Sequence, residues 1–273
     1  MTFDITHPDI RCAVEIALAE DVRTGDITTD ATIPAELQAE GRFVARETMT
    51  LAGVELLGLL YDNPTLNHAS GARLQPGDEI AVVRGPARLL LTRERAALNF
   101  LQRLSGVATL AARFVDAVAG TGVRILDTRK TTPGLRVLEK AASAAGGVVN
   151  HRMGLWDAIL IKNNHIRLAG GVRAAIERTR SLNLPIEVEV RTRPEIAEAL
   201  ACGASRVLLD NMTPQQAAEE IRLIAKRVEV EISGGVTLAN VRAYAEAGPD
   251  FISSGAITHS ATAVDINCGI YDA

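Results

Sequence analysis

Basic side chains follow two apolar, β-branched runs of this sequence, at places where an ordinary turn would carry Gly, Asp or Pro. The run "RILDTR" ends in Arg129 before Lys130, "AILIK" ends in Lys162, and His151 and Arg152 precede the second run. An arginine fork holds a carboxylate or phosphate through two parallel hydrogen bonds, while lysine supplies a compact positive charge. Each residue alone could equally cap a strand or form a surface ion pair. Together they indicate a substrate that carries several negative charges.

Two acidic residues, Glu189 and Asp210, stand at the ends of two further β-branched runs, "PIEVEV" and "SRVLLD". Carboxylate oxygens bind sugar hydroxyls and are the ligands that a hydrated Mg²⁺ prefers. A second interpretation stays open, because Glu187 and Glu189 alternate on one face of a strand and can pair with basic residues in a protein interior. Either role requires these carboxylates to have a partner.

Small residues follow the last two β-branched runs, as "SGG" at 233–235 and "SSGA" at 253–256. Small side chains let backbone N–H groups approach an anion closely, and a following helix adds a favourable dipole. One such glycine pair can be an ordinary turn, but two in successive units favour a phosphate site. The candidate residues are Ser233, Gly234, Gly235, Ser254, Gly255 and Ala256.

These side chains need a scaffold, and six β-branched runs alternate with amphipathic stretches from about residue 108 onward, as successive βα units do. The later runs recur every ~20 to 25 residues, which matches one βα step of a barrel or a doubly wound sheet. Neither GxGxxG after a first strand nor GxxxxGK[ST] occurs, so a barrel is favoured, with its chemistry at the carboxyl ends of the strands. The predicted strands are 124–129, 158–162, 185–190, 205–210, 229–233 and 250–255, and the predicted helices between them are 170–182, 193–203, 213–227 and 237–248.

The first 107 residues have a different pattern, in which a helix-like "DIRCAVEIALAED" precedes a strand-like "EGRFVARE" and a helix around "LTRERAALNFLQRLSG". Hairpin-like strands beside helices predict a separate α+β domain. We therefore predict two domains, 1–107 and 108–273, with a C-terminal tail that can return to the first. Arg95 lies in the last of these helical stretches, where a surface arginine is an ordinary finding.

The composition excludes several classes of protein. A net charge of -4 and 3% aromatic residues provide neither the basic face nor the stacking platforms of a nucleic-acid binder. Three cysteines far apart in the sequence argue against a disulfide framework and a zinc site. The N-terminus lacks a signal pattern, and no apolar run reaches the ~18 residues of a membrane span. We expect a soluble cytoplasmic protein.

Longer stretches of the sequence resemble the quinolinate phosphoribosyltransferase family, also called nicotinate-nucleotide pyrophosphorylase (carboxylating). They include "LAEDVRTGDITTDATIP", "TRERAALNFLQRLSGVAT", "ILDTRKTTPGLRVLEK", "NHRMGLWDAILIKNNH", "EVEV", "VLLDNM", "EISGGVTLANV" and "ISSGAITHS". The resemblance implies an N-terminal α/β sandwich domain followed by an incomplete α/β (TIM-like) barrel. It also implies a homodimer with shared active sites, and larger assemblies are compatible with it. The implied reaction joins quinolinate to 5-phosphoribosyl-1-pyrophosphate with Mg²⁺, releasing pyrophosphate and CO₂ and leaving nicotinate mononucleotide, a step of NAD biosynthesis.

The same resemblance implies a role for each candidate residue. The pyridine carboxylates would be held by four residues of this chain and one from the partner subunit, which are Arg129, His151, Arg152, Lys162 and Arg95. Lys130 would face the pyrophosphate, and Glu189 and Asp210 would hold ribose hydroxyls and Mg²⁺. The loops at 233–235 and 254–256 would bind the 5-phosphate.

The sequence departs from the family pattern at four positions. Ala144 stands where the family usually has Arg, Val148 where it has Gly, Asn163 where it has Asp, and Arg191 where an acid is common. These changes alter the charge that a substrate meets. Three hypotheses follow: a competent quinolinate enzyme, a paralogue that uses another pyridine or aromatic acid or omits decarboxylation, or a non-catalytic ligand-binding barrel.

Overall fold

The structure is a computed structural model that describes residues 2–272. Within these residues its α-helices are α1 (Pro8–Val22), α2 (Ile27–Thr32), α3 (Leu57–Leu60), α4 (Ala87–Ala117), α5 (Arg136–Ala145), α6 (Asn163–Ala169), α7 (Val172–Thr179), α8 (Arg193–Ala201), α9 (Pro214–Ile224), α10 (Val241–Glu246) and α11 (Ala256–His259). Its strands are β1 (Gln38–Ala45), β2 (Met49–Thr50), β3 (Thr65–Leu66), β4 (Arg73–Leu74), β5 (Glu79–Pro86), β6 (Arg124–Leu126), β7 (Ile159–Ile161), β8 (Ile186–Val190), β9 (Arg206–Asp210), β10 (Glu229–Ser233), β11 (Phe251–Ser253) and β12 (Ile266–Asp272). Short 3₁₀ helices lie at Val54–Leu56 and Arg180–Leu182.

The first of two compact units contains an antiparallel sheet of order β12-β1-β5-β3 and a separate pair of strands, β2 and β4. Helix α4 packs on its core through residues at three- and four-residue spacing, which places them on one face of the helix. Leu101 and Leu104 on this face are almost fully buried. Burying one such leucine contributes about 1.5 to 3 kcal/mol, so this stripe holds helix and sheet together.

The two compact units are not continuous in sequence. The first comprises the chain up to Ala112, Thr131–Gly147 and the chain from Ile257, and the second comprises Arg113–Lys130 and Val148–Ala256. The units differ from the predicted segments 1–107 and 108–273 at residues 108–112 and Thr131–Gly147, whereas the return of the C-terminal tail to the first unit was part of the prediction. The physical reason is apolar burial, because α5 places Leu138 and the C-terminal strand places Ile266 in the core of the first unit.

The second unit is built on a parallel sheet of order β6-β11-β10-β9-β8-β7. Neighbouring strands such as β9 and β10 pair in register from Arg206↔Glu229 to Asp210↔Ser233, which brings their carboxyl ends to one edge. Strands β6 and β7, although consecutive in the chain, lie at opposite ends of the order, as in a parallel barrel sheet that is not closed. This is the α/β fold with a TIM-like barrel that the sequence predicts.

Local signals set where the helices of this unit begin. Thr192 accepts the backbone N–H of Glu195 while the Glu195 carboxylate accepts the amide of Thr192, so a capping box starts α8. Thr213 and Gln216 start α9 in the same way. None of the helices among residues 2–272 combines the length and the apolar surface needed to cross a bilayer.

Candidate active site

A cavity of about 460 Å³ opens at the carboxyl ends of the barrel strands. Nine of the residues predicted from sequence line it, from four strand ends and the loop that precedes β7. They are Arg129, Lys130, His151, Arg152, Lys162, Asp210, Ser233, Gly234 and Gly235. Because the strands are parallel and in register, residues far apart in sequence meet at this one opening.

A buried carboxylate, Asp127, fixes the basic segment that follows β6. Its oxygens accept the backbone N–H of His151 at 2.9 Å and the side-chain amide of Asn150 at 2.6 Å. Two loops are thereby held side by side, with Arg129 on one and Arg152 on the other. Burial, together with the positive charge of Arg129, lowers the pKa of Arg152. A bound anion would relieve both effects, so this wall of the cavity favours a carboxylate or phosphate.

His151 lies between two acidic side chains in the barrel interior. Its Nε2 is 3.4 Å from Oε2 of Glu187 and 3.5 Å from Oε2 of Glu231. Burial opposes protonation of the imidazole, but hydrogen bonding to both carboxylates and their charges outweigh it and raise the pKa of His151 to about 9. Hydrogen bonding and the charge of His151 also outweigh burial at Glu231 and lower the pKa of that carboxyl.

The other ring nitrogen of His151 also has a partner. The backbone N–H of Arg152 donates to Nδ1 at 2.7 Å, which places the proton of the neutral ring on Nε2. Both nitrogens therefore face protein groups, and direct contact of His151 with a substrate carboxylate stays a prediction.

Lys162 directly follows β7, and its Nζ lies 2.8 Å from Oε2 of Glu189 on β8. The two amides and the imidazole that follow Lys162 form the first turn of α6, where Nδ1 of His165 accepts the backbone N–H of Lys162 at 2.9 Å. Local capping thus explains the polar residues at this strand end. The ammonium group stays half exposed while Glu189 is buried, so the cation can reach a ligand without leaving its acid.

Asp210, at the end of β9, is held by a cation as well. Nε and Nη2 of Arg191 donate to its Oδ2 at 2.9 and 2.6 Å, and Nδ2 of Asn211 donates to the same oxygen at 2.9 Å. Hydrogen bonding to Asp210 is the largest cause of the raised pKa of Arg191.

Glu189 and Asp210 fit the hard oxygen donors that Mg²⁺ prefers. Each carboxylate keeps one oxygen, Oε1 of Glu189 and Oδ1 of Asp210, to which no group within residues 2–272 donates a hydrogen bond. The donor set therefore suits a divalent cation, although each acid already faces a basic side chain.

The glycine turn after β10 lies close to the end of β9. Gly234 has φ +92°, and a Cβ on it would clash with the side chain of Asn211 and lie 2.8 Å from its backbone nitrogen. Only glycine allows this approach without strain. The hydroxyls of Ser253 and Ser233 are hydrogen-bonded at 2.9 Å beside the turn, so small polar groups line this corner of the cavity.

Five predicted residues lie away from the cavity lining or act through others. Oγ of Ser254 donates to the carbonyl of Val236 at 2.7 Å, so this serine supports the glycine turn, and its neighbour Ser253 reaches the cavity. Arg95 is exposed on α4 of the first unit. Those outside the lining are Arg95, Glu189, Ser254, Gly255 and Ala256.

Sequence reasoning did not select several residues of the lining. Glu231 is fully buried on β10 and faces the cavity with Asn211, Ser253 and Thr128. The alternation of Glu229, Glu231 and Ser233 along β10 carries the same period-two signal as Glu187 and Glu189 on β8. That pattern was sufficient to find Glu231.

A parallel barrel sheet with cations, acids and a glycine turn at the carboxyl ends of its strands defines an α/β-barrel enzyme whose site suits anionic small molecules. Matches of the chain to models of known protein families identify the particular family. "Quinolinate phosphoribosyl transferase, C-terminal domain" matches residues 107–268, and the N-terminal domain of the same description matches residues 26–105. The chain belongs to the quinolinate phosphoribosyltransferase family.

Relatives match over nearly all of the chain. Nicotinate-nucleotide pyrophosphorylase (carboxylating) of Mycobacterium leprae is 41% identical, covering 97% of this chain and 99% of the relative. The chloroplastic enzyme of the same name from Arabidopsis thaliana is 39% identical, covering 97% of this chain and 84% of the relative. The crystal structure of NadC from Streptococcus pyogenes superposes with a TM-score of 0.93 at 36% identity, covering 100% of this chain and 99% of the other.

Proposed function

We propose that this protein transfers the phosphoribosyl group of 5-phosphoribosyl-1-pyrophosphate to quinolinate, releasing pyrophosphate and CO₂ and leaving nicotinate mononucleotide in NAD biosynthesis. The observation that carries the proposal is the convergence of Arg129, Arg152 and Lys162 on one cavity. Three basic side chains suit an aromatic dicarboxylate, because each carboxylate can receive charge-assisted hydrogen bonds. The family to which the chain belongs carries the same activity in its name.

Binding of the acceptor begins with the cationic wall. Arg129 and Arg152 line the same cavity, and the positive charge of Arg129 lowers the pKa of Arg152, so a carboxylate bound beside them would stabilise both. Lys162, at the end of β7, supplies a third positive charge. Holding the ring nitrogen next to the reacting sugar carbon gives a proximity contribution of up to about 7 to 11 kcal/mol in well-oriented systems.

The donor lies on the acidic side of the cavity. Cleavage of the ribose C1–O bond builds positive charge on the sugar and negative charge on the departing pyrophosphate. Glu189 and Asp210 would stabilise the first, and Lys130 would stabilise the second. Mg²⁺ held by Glu189 and Asp210 would neutralise pyrophosphate oxygens. The turn at Gly234 and Gly235 offers backbone N–H groups to the 5-phosphate.

Decarboxylation follows once the ring nitrogen carries the ribose. The C2–carboxylate bond breaks, the pyridinium holds the electron pair at C2, and a proton then completes the ring. Lys162 or a water beside it supplies that proton. Its contact with buried Glu189 orients the ammonium group.

The test is incubation of the purified protein with the donor, Mg²⁺ and a panel of pyridine and other aromatic acids, with mass spectrometry of the products. We expect nicotinate mononucleotide from quinolinate and from no other acid in the panel. A nucleotide of a different acid, or a carboxylated product, would indicate the paralogue reaction. Binding without turnover would indicate a ligand-binding barrel.

We also propose a homodimer in which Arg95 of one subunit completes the site of the other. Its guanidinium is exposed and lines a cavity of about 390 Å³ on the first unit, where Ile16 on α1 is also exposed. Mixing Arg95→Ala with Lys162→Ala protein under conditions of subunit exchange should restore activity in about a quarter of the sites. Two variants that stay inactive when mixed would rule out a shared site, and light scattering measures whether dimers assemble further.

A cytoplasmic location completes the proposal. Cys12, Cys202 and Cys268 are all free thiols, which suits a reducing compartment. Cell fractionation with an antibody to the protein tests it, and recovery in a membrane or secreted fraction would contradict it.

A further inference from the structure

Arg191 directly follows β8, and its guanidinium is hydrogen-bonded to the carboxylate of Asp210 at the end of the neighbouring strand β9. Both Nε and Nη2 donate to Oδ2, at 2.9 and 2.6 Å, and Nη2 also lies 3.9 Å from Oε1 of Glu189. One guanidinium thus faces both acids that suit a divalent cation. Its positive charge lies beside both carboxylates and repels a divalent cation that approaches them, so the two cannot bind Asp210 independently.

The backbone of Arg191 is fixed while its side chain remains exposed. Its N–H donates to Oε2 of Glu195 at 2.8 Å, within the capping box that starts α8. The side chain is 53% exposed, whereas that of Asp210 is 12% exposed. The guanidinium can therefore leave Asp210 for solvent without disturbing the strand or the helix.

We propose that Arg191 competes with the divalent cation for Asp210 and so sets how much cation the donor requires. In the ligand-free protein it keeps the two acids neutralised. When cation and donor bind together, the guanidinium is released beside the negatively charged donor. Asp210 then exchanges the guanidinium of Arg191 for the divalent cation. The part of this proposal that concerns the donor rests on the proposed function, whereas the competition for Asp210 does not.

Arg193 provides a matched control in the same region. It lies two residues further on and lines the same outer cavity of about 570 Å³ as Arg191 and Asp210. Its guanidinium binds Glu220, with Nη2 2.7 Å from Oε1, and no contact between Arg193 and Asp210 occurs within residues 2–272. Neutralising Arg193 removes one positive charge from this cavity and leaves Asp210 with its partner.

The experiment measures binding of Mn²⁺ alone, by electron paramagnetic resonance, to the wild-type protein, Arg191→Gln and Arg193→Gln. Loss of a competing pair worth about 1 kcal/mol should tighten Mn²⁺ binding about fivefold in Arg191→Gln. Arg193→Gln should match the wild type. Equal Mn²⁺ affinity in the wild type and Arg191→Gln would overturn the proposal, and so would equal tightening in both variants, since that is a general charge effect.

A double variant shows whether the Mn²⁺ that is measured binds at Asp210. Asp210→Asn added to Arg191→Gln should remove the gain, because the carboxylate that the guanidinium occupied is gone. A gain that persists in the double variant comes from another site and rejects the proposal. Thermal unfolding of each variant shows whether the fold is kept, and Arg191→Lys supplies a second measurement with the charge retained and the fork removed, expected between wild type and Arg191→Gln.

Donor dependence is tested separately. Binding of 5-phosphoribosyl-1-pyrophosphate should require less Mg²⁺ in Arg191→Gln than in Arg193→Gln, because the guanidinium no longer competes with the cation for Asp210. If the wild-type protein forms no nicotinate mononucleotide, the proposed function fails while the Mn²⁺ measurements still decide the competition. If product forms and the Mn²⁺ affinities are equal, only this inference fails.

Discussion

Nζ of Lys162 lies 2.8 Å from Oε2 of Glu189, so the cation that would hold the acceptor is paired with an acid that would serve the donor. A substrate carboxylate must share or displace that acid. Because Lys162 is half exposed and Glu189 is buried, the lysine is the partner that can turn. One ion pair therefore links the residue that would bind the acceptor with the residue that would serve the donor.

Glu189→Gln should separate binding from catalysis. The amide keeps the shape of the side chain but no longer competes for Lys162, so we expect quinolinate to bind up to about fivefold more tightly. Turnover should fall by about 100-fold, because the developing charge on the sugar loses its carboxylate. Calorimetry and steady-state kinetics measure the two effects. Glu177→Gln, at an exposed partner of Arg173, should change neither, and weaker quinolinate binding in Glu189→Gln would contradict the competition.

Arg129→Ala should affect the two ligands unequally. Loss of a charge-assisted contact to a carboxylate costs about 1.5 to 3 kcal/mol, or roughly 10- to 150-fold in quinolinate affinity. Affinity for 5-phosphoribosyl-1-pyrophosphate should change by less than about threefold. Calorimetric titration with each ligand alone gives both constants. Equal losses for the two ligands would reject the division of the cavity into an acceptor side and a donor side.

His151 should make the stability of the protein depend on pH. Its ordinary pKa of 6.5 is raised to about 9 in the fold by Glu187 and Glu231, against burial. A raised pKa contributes stability that is complete below pH 6.5 and is lost as the pH rises through 9. The free energy of unfolding should therefore fall over that range, by on the order of 2 to 3 kcal/mol.

His151→Gln should flatten that part of the profile. Urea unfolding at several pH values measures it, and nitrogen-15 NMR of the imidazole reports the pKa directly. The same fall in the variant would show that another group is responsible. A histidine that titrates near 6.5 in the wild-type protein would contradict the role of the two carboxylates.

Gly234→Ala should disrupt the turn that faces the 5-phosphate. The added Cβ meets Asn211, and φ +92° is unfavourable for any L side chain. We expect a loss of about 1 to 2 kcal/mol in stability and weaker donor binding. Gly203→Ala is the control, since its φ is +81° with nothing within 4 Å of the Cβ. It should lose stability from backbone strain alone and keep donor binding.

The sequence predicted most elements of the second unit within a few residues. The strand at Glu229–Ser233 was predicted with its observed bounds, because alternation and glycine turns are local signals. Helix α6 was not predicted, since its seven residues contain few apolar positions and its start depends on His165 and the Lys162 amide. Helix α5 was placed with the barrel because its place in the core of the first unit is a long-range contact.

The resemblance of whole stretches of sequence identified the family. Residue types and spacing predicted the barrel and nine residues of the cavity wall, because parallel strands bring their carboxyl ends together wherever the chain runs next. Only the tertiary structure decided the partners: Lys162 with Glu189, Asp210 with Arg191, and His151 with Glu187 and Glu231. An ion pair depends on distances between side chains from different strands. Strand order and register set those distances, and no local pattern in the sequence contains them.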